Sequence, residues 1–105
     1  MAEKTPRMRQ IEEMLAAEPG DAFLRYALAM EYVGAGDDET ALLHLRGLIA
    51  REPYVPAYLQ AGQALIRLDR LGEAREVLRE GIAQAARQGD AHAEGEMRGF
   101  LESIE

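Results

Sequence analysis

The stretch DETALLHLRGLIAR, residues 38–51, is echoed 33 residues later by LGEAREVLREGIAQ, residues 71–84, and the pair decides the fold class. Identity holds at Ala41/Ala74, Leu45/Leu78, Arg46/Arg79, Ile49/Ile82 and Ala50/Ala83. Within each copy the apolar residues recur every three or four positions, the period of one helix face, and no useful length of the chain alternates with period two. Val, Ile and Thr are sparse while Ala, Leu, Glu and Arg dominate, so helices are expected and strands are not. A period of this length holds a helix, a turn and a second helix, a unit that buries its apolar face by stacking on a neighbour.

Turn residues divide the rest of the chain in keeping with that period. Thr5-Pro6 sets a cap before a proline at the first helical position and opens a helix over 6–17, which stops before Pro19-Gly20. Asp21 caps a helix over about 22–34, and Gly34-Ala35-Gly36-Asp37 turns the chain into the helix 38–51, which ends before Pro53. Pro56 opens a helix over 56–68, Asp69 is expected to cap one over 70–88 closed by Gly89, and Asp90 caps a last helix carrying Met97, Phe100, Leu101 and Ile104. Every connection is short, which makes successive helices antiparallel neighbours.

Composition narrows the function classes. A chain of 105 residues suits one domain with a modest core, and with no cysteine it has neither disulfides nor thiolate metal sites. The N-terminus turns polar and acidic early, and no apolar run approaches the ~20 residues that span a bilayer, so a soluble cytoplasmic protein without membrane partners is the default expectation. A net charge of −7 repels phosphate backbones, which argues against nucleic acid as a partner. Eleven arginines stand against the single Lys4, a bias that fits either GC-rich codon usage or an acidic, lysine-poor surface suited to high salt.

The two copies carry a fuller pattern. The first has Leu28-Ala29 and Tyr32 on its first helix, Ala41, Leu45 and Leu48 on its second, and a closing Pro53; the second has Tyr58, Ala61-Gly62 and Leu65, then Ala74, Leu78 and Gly81. Ala29 and Gly62 let the two helices of a hairpin approach closely, and Ala41 and Ala74 do the same from the partner helix. The combination resembles the tetratricopeptide repeat, in which helix A carries an aromatic, a Leu-Gly pair and a Tyr, helix B an Ala and an aromatic, and a proline closes the unit. Arg25 stands where the first unit would have an aromatic and Ala86 where the second would have the proline, the latter in keeping with a longer fifth helix.

That resemblance implies an all-α fold: a short right-handed superhelical solenoid of antiparallel helix hairpins, about six helices with no strands. Residues 1–105 form one domain in this reading, with 6–17 as an orphan helix B, 22–53 and 55–88 as two repeats, and 90–104 as a capping helix or the next helix A. Counting back from Pro19 puts Ile11, Met14 and Leu15 where Leu45, Leu48 and Ile49 sit.

The resemblance also implies a non-enzymatic interaction module, with helix A residues lining a concave groove for a partner peptide or helix. The expected groove residues are Phe23, Tyr26, Met30, Val33 and Gly34 from one unit and Pro56, Leu59, Gln63, Ile66 and Arg67 from the other. The helix 22–34 is apolar nearly all round, more than one stripe of packing needs. Three explanations stand for that surplus: core covered by neighbouring helices, an open groove for a protein or peptide partner, or self-association into a homodimer through the same face. Repeats that clamp chaperone carboxylates place lysine and asparagine on this face; here Tyr26, Leu59, Met30 and Gln63 stand there, so such a co-chaperone is disfavoured, an apolar or mixed ligand is expected, and a co-chaperone-like adaptor without the clamp is an alternative.

No catalytic, cofactor or metal constellation is legible. His44 and His92 lie on different helices with no partner at ligand spacing, and His92 with Glu96 reads as an exposed contact one turn apart. Serine occurs once, as Ser103. The rows Glu12-Glu13, Asp37-Asp38-Glu39 and Glu73, Glu76, Glu80 read as solvated faces, and the Gly34-Ala35-Gly36 turn lacks the lysine and strand of a phosphate loop.

Overall fold

A computed structural model describes residues 3–105. Six helices and no strand are present among them: α1 Pro6–Ala17, α2 Ala22–Gly34, α3 Asp38–Arg51, α4 Val55–Arg67, α5 Leu71–Gln88 and α6 Ala91–Ile104. Each packs on its neighbours in sequence, and α6 also runs along α4, so the helices stack as successive hairpins.

Local chemistry sets the helix starts. Thr5 Oγ1 accepts from the Met8 N–H at 3.1 Å, and the Asp21, Asp37 and Asp90 carboxylates accept from the N–H groups of Leu24, Thr40 and Ala93 at 3.0, 3.1 and 3.0 Å, each satisfying a donor the helix leaves open. α4 begins one residue before Pro56, at Val55, with Tyr54 at the N-cap and no side-chain cap.

Asp69 departs from its expected role. It lies in the left-handed region at φ 58°, the place Gly36 holds at φ 78° in the preceding turn and Gly89 at φ 73° in the next. Its N–H donates to Ile66 O at 3.0 Å and that of Arg70 to Leu65 O at 2.9 Å, so Asp69 closes α4 rather than capping α5, whose N-cap is Arg70.

Two apolar clusters hold the stack. The larger joins α2 through α6 around Leu45, Leu65, Leu78 and Met97, all fully buried; removing each such side chain from water contributes roughly 1.5–3 kcal/mol. The smaller seats α1: Met8, Ile11 and Leu15 meet Leu28, Tyr32 and Ala41. Met14, expected to pack as Leu48 does, is instead 43% exposed, while Leu15 is buried. Leu48 lies in the larger cluster on a helix packed between α2 and α4, whereas α1 packs chiefly on α2, so its buried stripe turns toward that one neighbour.

The glycines at the hairpin crossings admit close contact. A Cβ on Gly62 would sit 2.7 Å from Leu78 Cγ, and one on Gly81 would sit 2.6 Å from Tyr58 Cβ and 2.5 Å from Met97 Sδ. α5 runs to 18 residues against 14 for α3, the extension expected where Ala86 replaces a closing proline.

Candidate functional site

The groove residues were expected on α2 and α4, the first helices of the hairpins, and the structure sorts eight of them into three groups, with Gly34 and Pro56 exposed outside these. Gln63, Ile66 and Arg67 of α4 come together with Phe100 and Ser103 of α6 around a shallow cleft of about 250 Å³. Phe23 stands out from α2 with 67% of its surface exposed, while Met30 is partly buried. Tyr26 and Leu59 pack partly on the larger core and Val33 partly on the smaller, so these three serve packing as well as lining a surface.

The Tyr26 ring meets that of Tyr54 at 5.6 Å between centroids, tilted by 51°, and burial pushes its phenol above the ordinary value. The phenol therefore stays neutral at ordinary pH. Tyr54 was absent from the expected set because it sits at the turn before α4; its signal is its place directly ahead of the Val55-Pro56 helix start.

Arg67 is not a free cation. Its Nε donates to Asp38 Oδ1 and Oδ2 at 3.1 and 3.0 Å and its Nη2 to Oδ1 at 2.8 Å, a fork that ties the C-terminal end of α4 to the first turn of α3. The cleft that Arg67 lines is thereby left with apolar, amide and hydroxyl groups and a neutralised ion pair. Phe100 was also missed, although its helix could be read as a third helix A; aligning α6 with α4 places it beside Ile66. Ser103 Oγ donates to Phe100 O at 2.6 Å, which commits the hydroxyl to its own helix.

The opposite face carries a second cleft of about 160 Å³ between α3 and α5, with Ile49, Ala50 and Val77 below Glu73, Glu76 and Glu80. Arg46 reaches across it to Glu73 at 2.9 Å, and the repeated Arg79 reaches Glu105 at 3.3 Å. Ala50 and Ala83 are exposed. Of the five repeated identities, Ala41/Ala74, Leu45/Leu78 and Ile49/Ile82 serve packing, while Arg46/Arg79 ties each helix to the next layer. Leu43, on α3, is the most exposed large apolar residue among those described, at 69%, and lies outside the expected groove.

Among the described residues no group of three or more His, Asp or Glu could hold a metal ion, and no helix is long and apolar enough to cross a membrane. His92 Nε2 lies 3.1 Å from Glu96, an exposed contact one turn apart. What this arrangement can do is offer shape, apolar area and a few hydrogen-bonding groups.

Stacked antiparallel hairpins with glycine at the crossings and a lined outer face define a helical-repeat scaffold. Residues 1–66 match the family model for the tetratricopeptide repeat, and the chain belongs to that family. A protein of Pseudomonas aeruginosa described as TPR repeat-containing is 36% identical over 96 residues, covering 90% of this chain and 91% of that one. The solution structure of a tetratricopeptide repeat domain protein from Salinibacter ruber superposes with a TM-score of 0.77 at 31% identity, over 82% of this chain and 88% of that one. A Bordetella parapertussis protein, BPP2914, superposes at 0.82 with 26% identity, over 96% of this chain and 89% of that one. The family is one of protein-interaction scaffolds.

Proposed function

We propose that this chain is a single interaction domain that holds a segment of a partner protein against the face formed by α2, α4 and α6, with Phe23, Tyr26, Met30, Leu59, Gln63 and Ile66 as the contact set. In this reading 6–17 is a half-unit, 22–53 and 55–88 are two repeats, and 90–104 closes the stack. The observation that carries it is the cleft where Gln63, Ile66 and Arg67 of α4 meet Phe100 and Ser103 of α6, whose one cation, Arg67, is already spent on Asp38. Exposed aromatic and unbranched apolar side chains are adaptable anchors for a helix or extended segment, and Gln63 can pair with a peptide backbone. A carboxylate clamp has no support on such a face, and the domain acts by binding rather than by catalysis in the cytoplasm.

The test is a double variant, Phe23→Glu with Gln63→Lys, both positions being exposed enough to change without opening the core. Affinity capture from the native lysate is expected to recover a partner with the parent chain and to lose it with the variant, while helical circular dichroism stays the same. Retention of every partner by the folded variant overturns the groove. A second copy of the chain as occupant is separated by light scattering, where a mass that doubles with concentration for the parent and not for the variant identifies self-association.

A further inference from the structure

We propose that the cleft between α3 and α5 is a second binding site, which takes an arginine side chain from a basic segment of a partner protein: the stem lies along Ile49, Ala50 and Val77, and Glu76 and Glu80 hold the guanidinium. The proposal stands apart from the groove reading, because this cleft belongs to the second helices of the hairpins and shares no residue with the cleft at Phe100. It measures about 160 Å³ and brings two chemistries together. The apolar part of its lining is Val77, which is buried, Ile49, which is partly so, and the exposed Ala50. The charged part sets one cation, Arg46, against three carboxylates, Glu73, Glu76 and Glu80.

The cation is already committed, and so is the first of the carboxylates. Arg46 Nη2 donates to Glu73 Oε1 at 2.9 Å, and Arg70 forks the same carboxylate from Nε at 2.7 Å and from Nη2 at 2.9 Å. Glu76 and Glu80 are different: they stand exposed one turn apart on α5, and neither forms an ion pair among the described residues. Like charges at that spacing repel each other. Packing does not call for them either, since the residues 33 positions earlier on α3 are Leu43 and Gly47. An arginine suits both parts of the lining, because its stem packs on apolar surface while its planar, weakly hydrated fork bonds carboxylates. The chain uses the same pairing at one end of the cleft, where Arg46 meets Glu73. A net charge of −7 draws basic segments toward this surface from a distance.

Blocked tripeptides, titrated into the isotope-labelled full chain and followed by backbone amide shifts, test this. The probes are acetyl-glycyl-arginyl-glycine amide, its lysine counterpart and its citrulline counterpart, which keeps the shape of arginine without the charge. The arginine peptide is expected to give saturable shifts centred on Ile49, Ala50, Glu76, Val77 and Glu80. The lysine peptide, which lacks the fork, should bind about tenfold more weakly, and the citrulline peptide should give no saturable shifts. Glu76→Gln and Glu80→Gln, with helical circular dichroism unchanged, should each weaken the arginine peptide by about tenfold through the lost charge-assisted bond. Glu13→Gln, which removes an exposed carboxylate of α1, should bind as the parent does. The proposal is overturned if the arginine peptide gives no saturable shifts or shifts spread over exposed carboxylates in general. It is equally overturned if the lysine or citrulline peptide binds as tightly, or if either folded α5 variant binds the arginine peptide as the parent does.

Discussion

Replacing Gly81 by alanine should destabilise this protein, although glycine-to-alanine changes inside a helix ordinarily do the reverse. In α5 the substitution gains about 1 kcal/mol of helix propensity. Against that, the new methyl would lie 2.6 Å from Tyr58 Cβ, 3.2 Å from Tyr58 Cγ and 2.5 Å from Met97 Sδ. The methionine sulfur can swing aside, but Tyr58 Cβ is bonded directly to the α4 backbone and can move only with its helix. Overpacking of that kind costs about 1–3 kcal/mol, and the rigid neighbour places it in the upper part of that range. The net loss is therefore about 1–2 kcal/mol, a fall in Tm of roughly 4–16 °C for a domain of this size. Gly47→Ala supplies the control: Gly47 is interior to α3, a Cβ there meets nothing within 4 Å, and the change should stabilise by about 0.5–1 kcal/mol. Urea denaturation followed by helical circular dichroism reads both. A Gly81→Ala protein as stable as the parent, or as stable as Gly47→Ala, would show that the α4–α5 crossing is not as close as described.

Asp69→Gly should raise stability by about 0.5–1 kcal/mol in the same denaturation assay, because the residue holds a left-handed conformation that costs a side-chain-bearing residue and not glycine; a loss would show that its carboxylate stabilises the turn. Thr5→Ala should cost about 1 kcal/mol through the lost cap on Met8 N–H, read as faster amide exchange in α1 while α4 and α5 are unchanged. Exchange in α1 at the parent rate would remove the cap from the account of how that helix is held.

The hairpin plan was legible because packing and turn chemistry repeat with the chain: the small sites, the proline and glycine breaks and three aspartate caps all agree on the same helices. What the repeat did not reveal is how the ends and turns differ from its interior. Met14 occupies a packing register that has meaning only when a helix stands on both sides of it. Asp69 was read by residue type as an N-cap, yet the turn needs a left-handed residue at that point and aspartate tolerates it. Arg46 and Arg79 stood out only as a repeated identity, and the positions of Glu73 and Glu105 show that they reach to following elements. The α4 side of the cleft, Gln63, Ile66 and Arg67, was legible as helix A positions, while the contribution of Phe100 depended on where α6 lies against α4. Tyr26, Leu59 and Val33 each bury part of their surface, a division that periodicity alone does not disclose.

The central claim is that the α2–α4–α6 face, and not apolar exposure in general, receives the partner. Phe23 and Leu43 make a matched pair for it, being 67% and 69% exposed on the first and second helices of one hairpin, α2 and α3. A photo-crosslinking amino acid placed at each position in turn, and at Gln63, and activated in native cells, reads which face is covered. The groove account predicts one common adduct from positions 23 and 63 and none from 43; an adduct from 43 with none from 23 or 63 would contradict it.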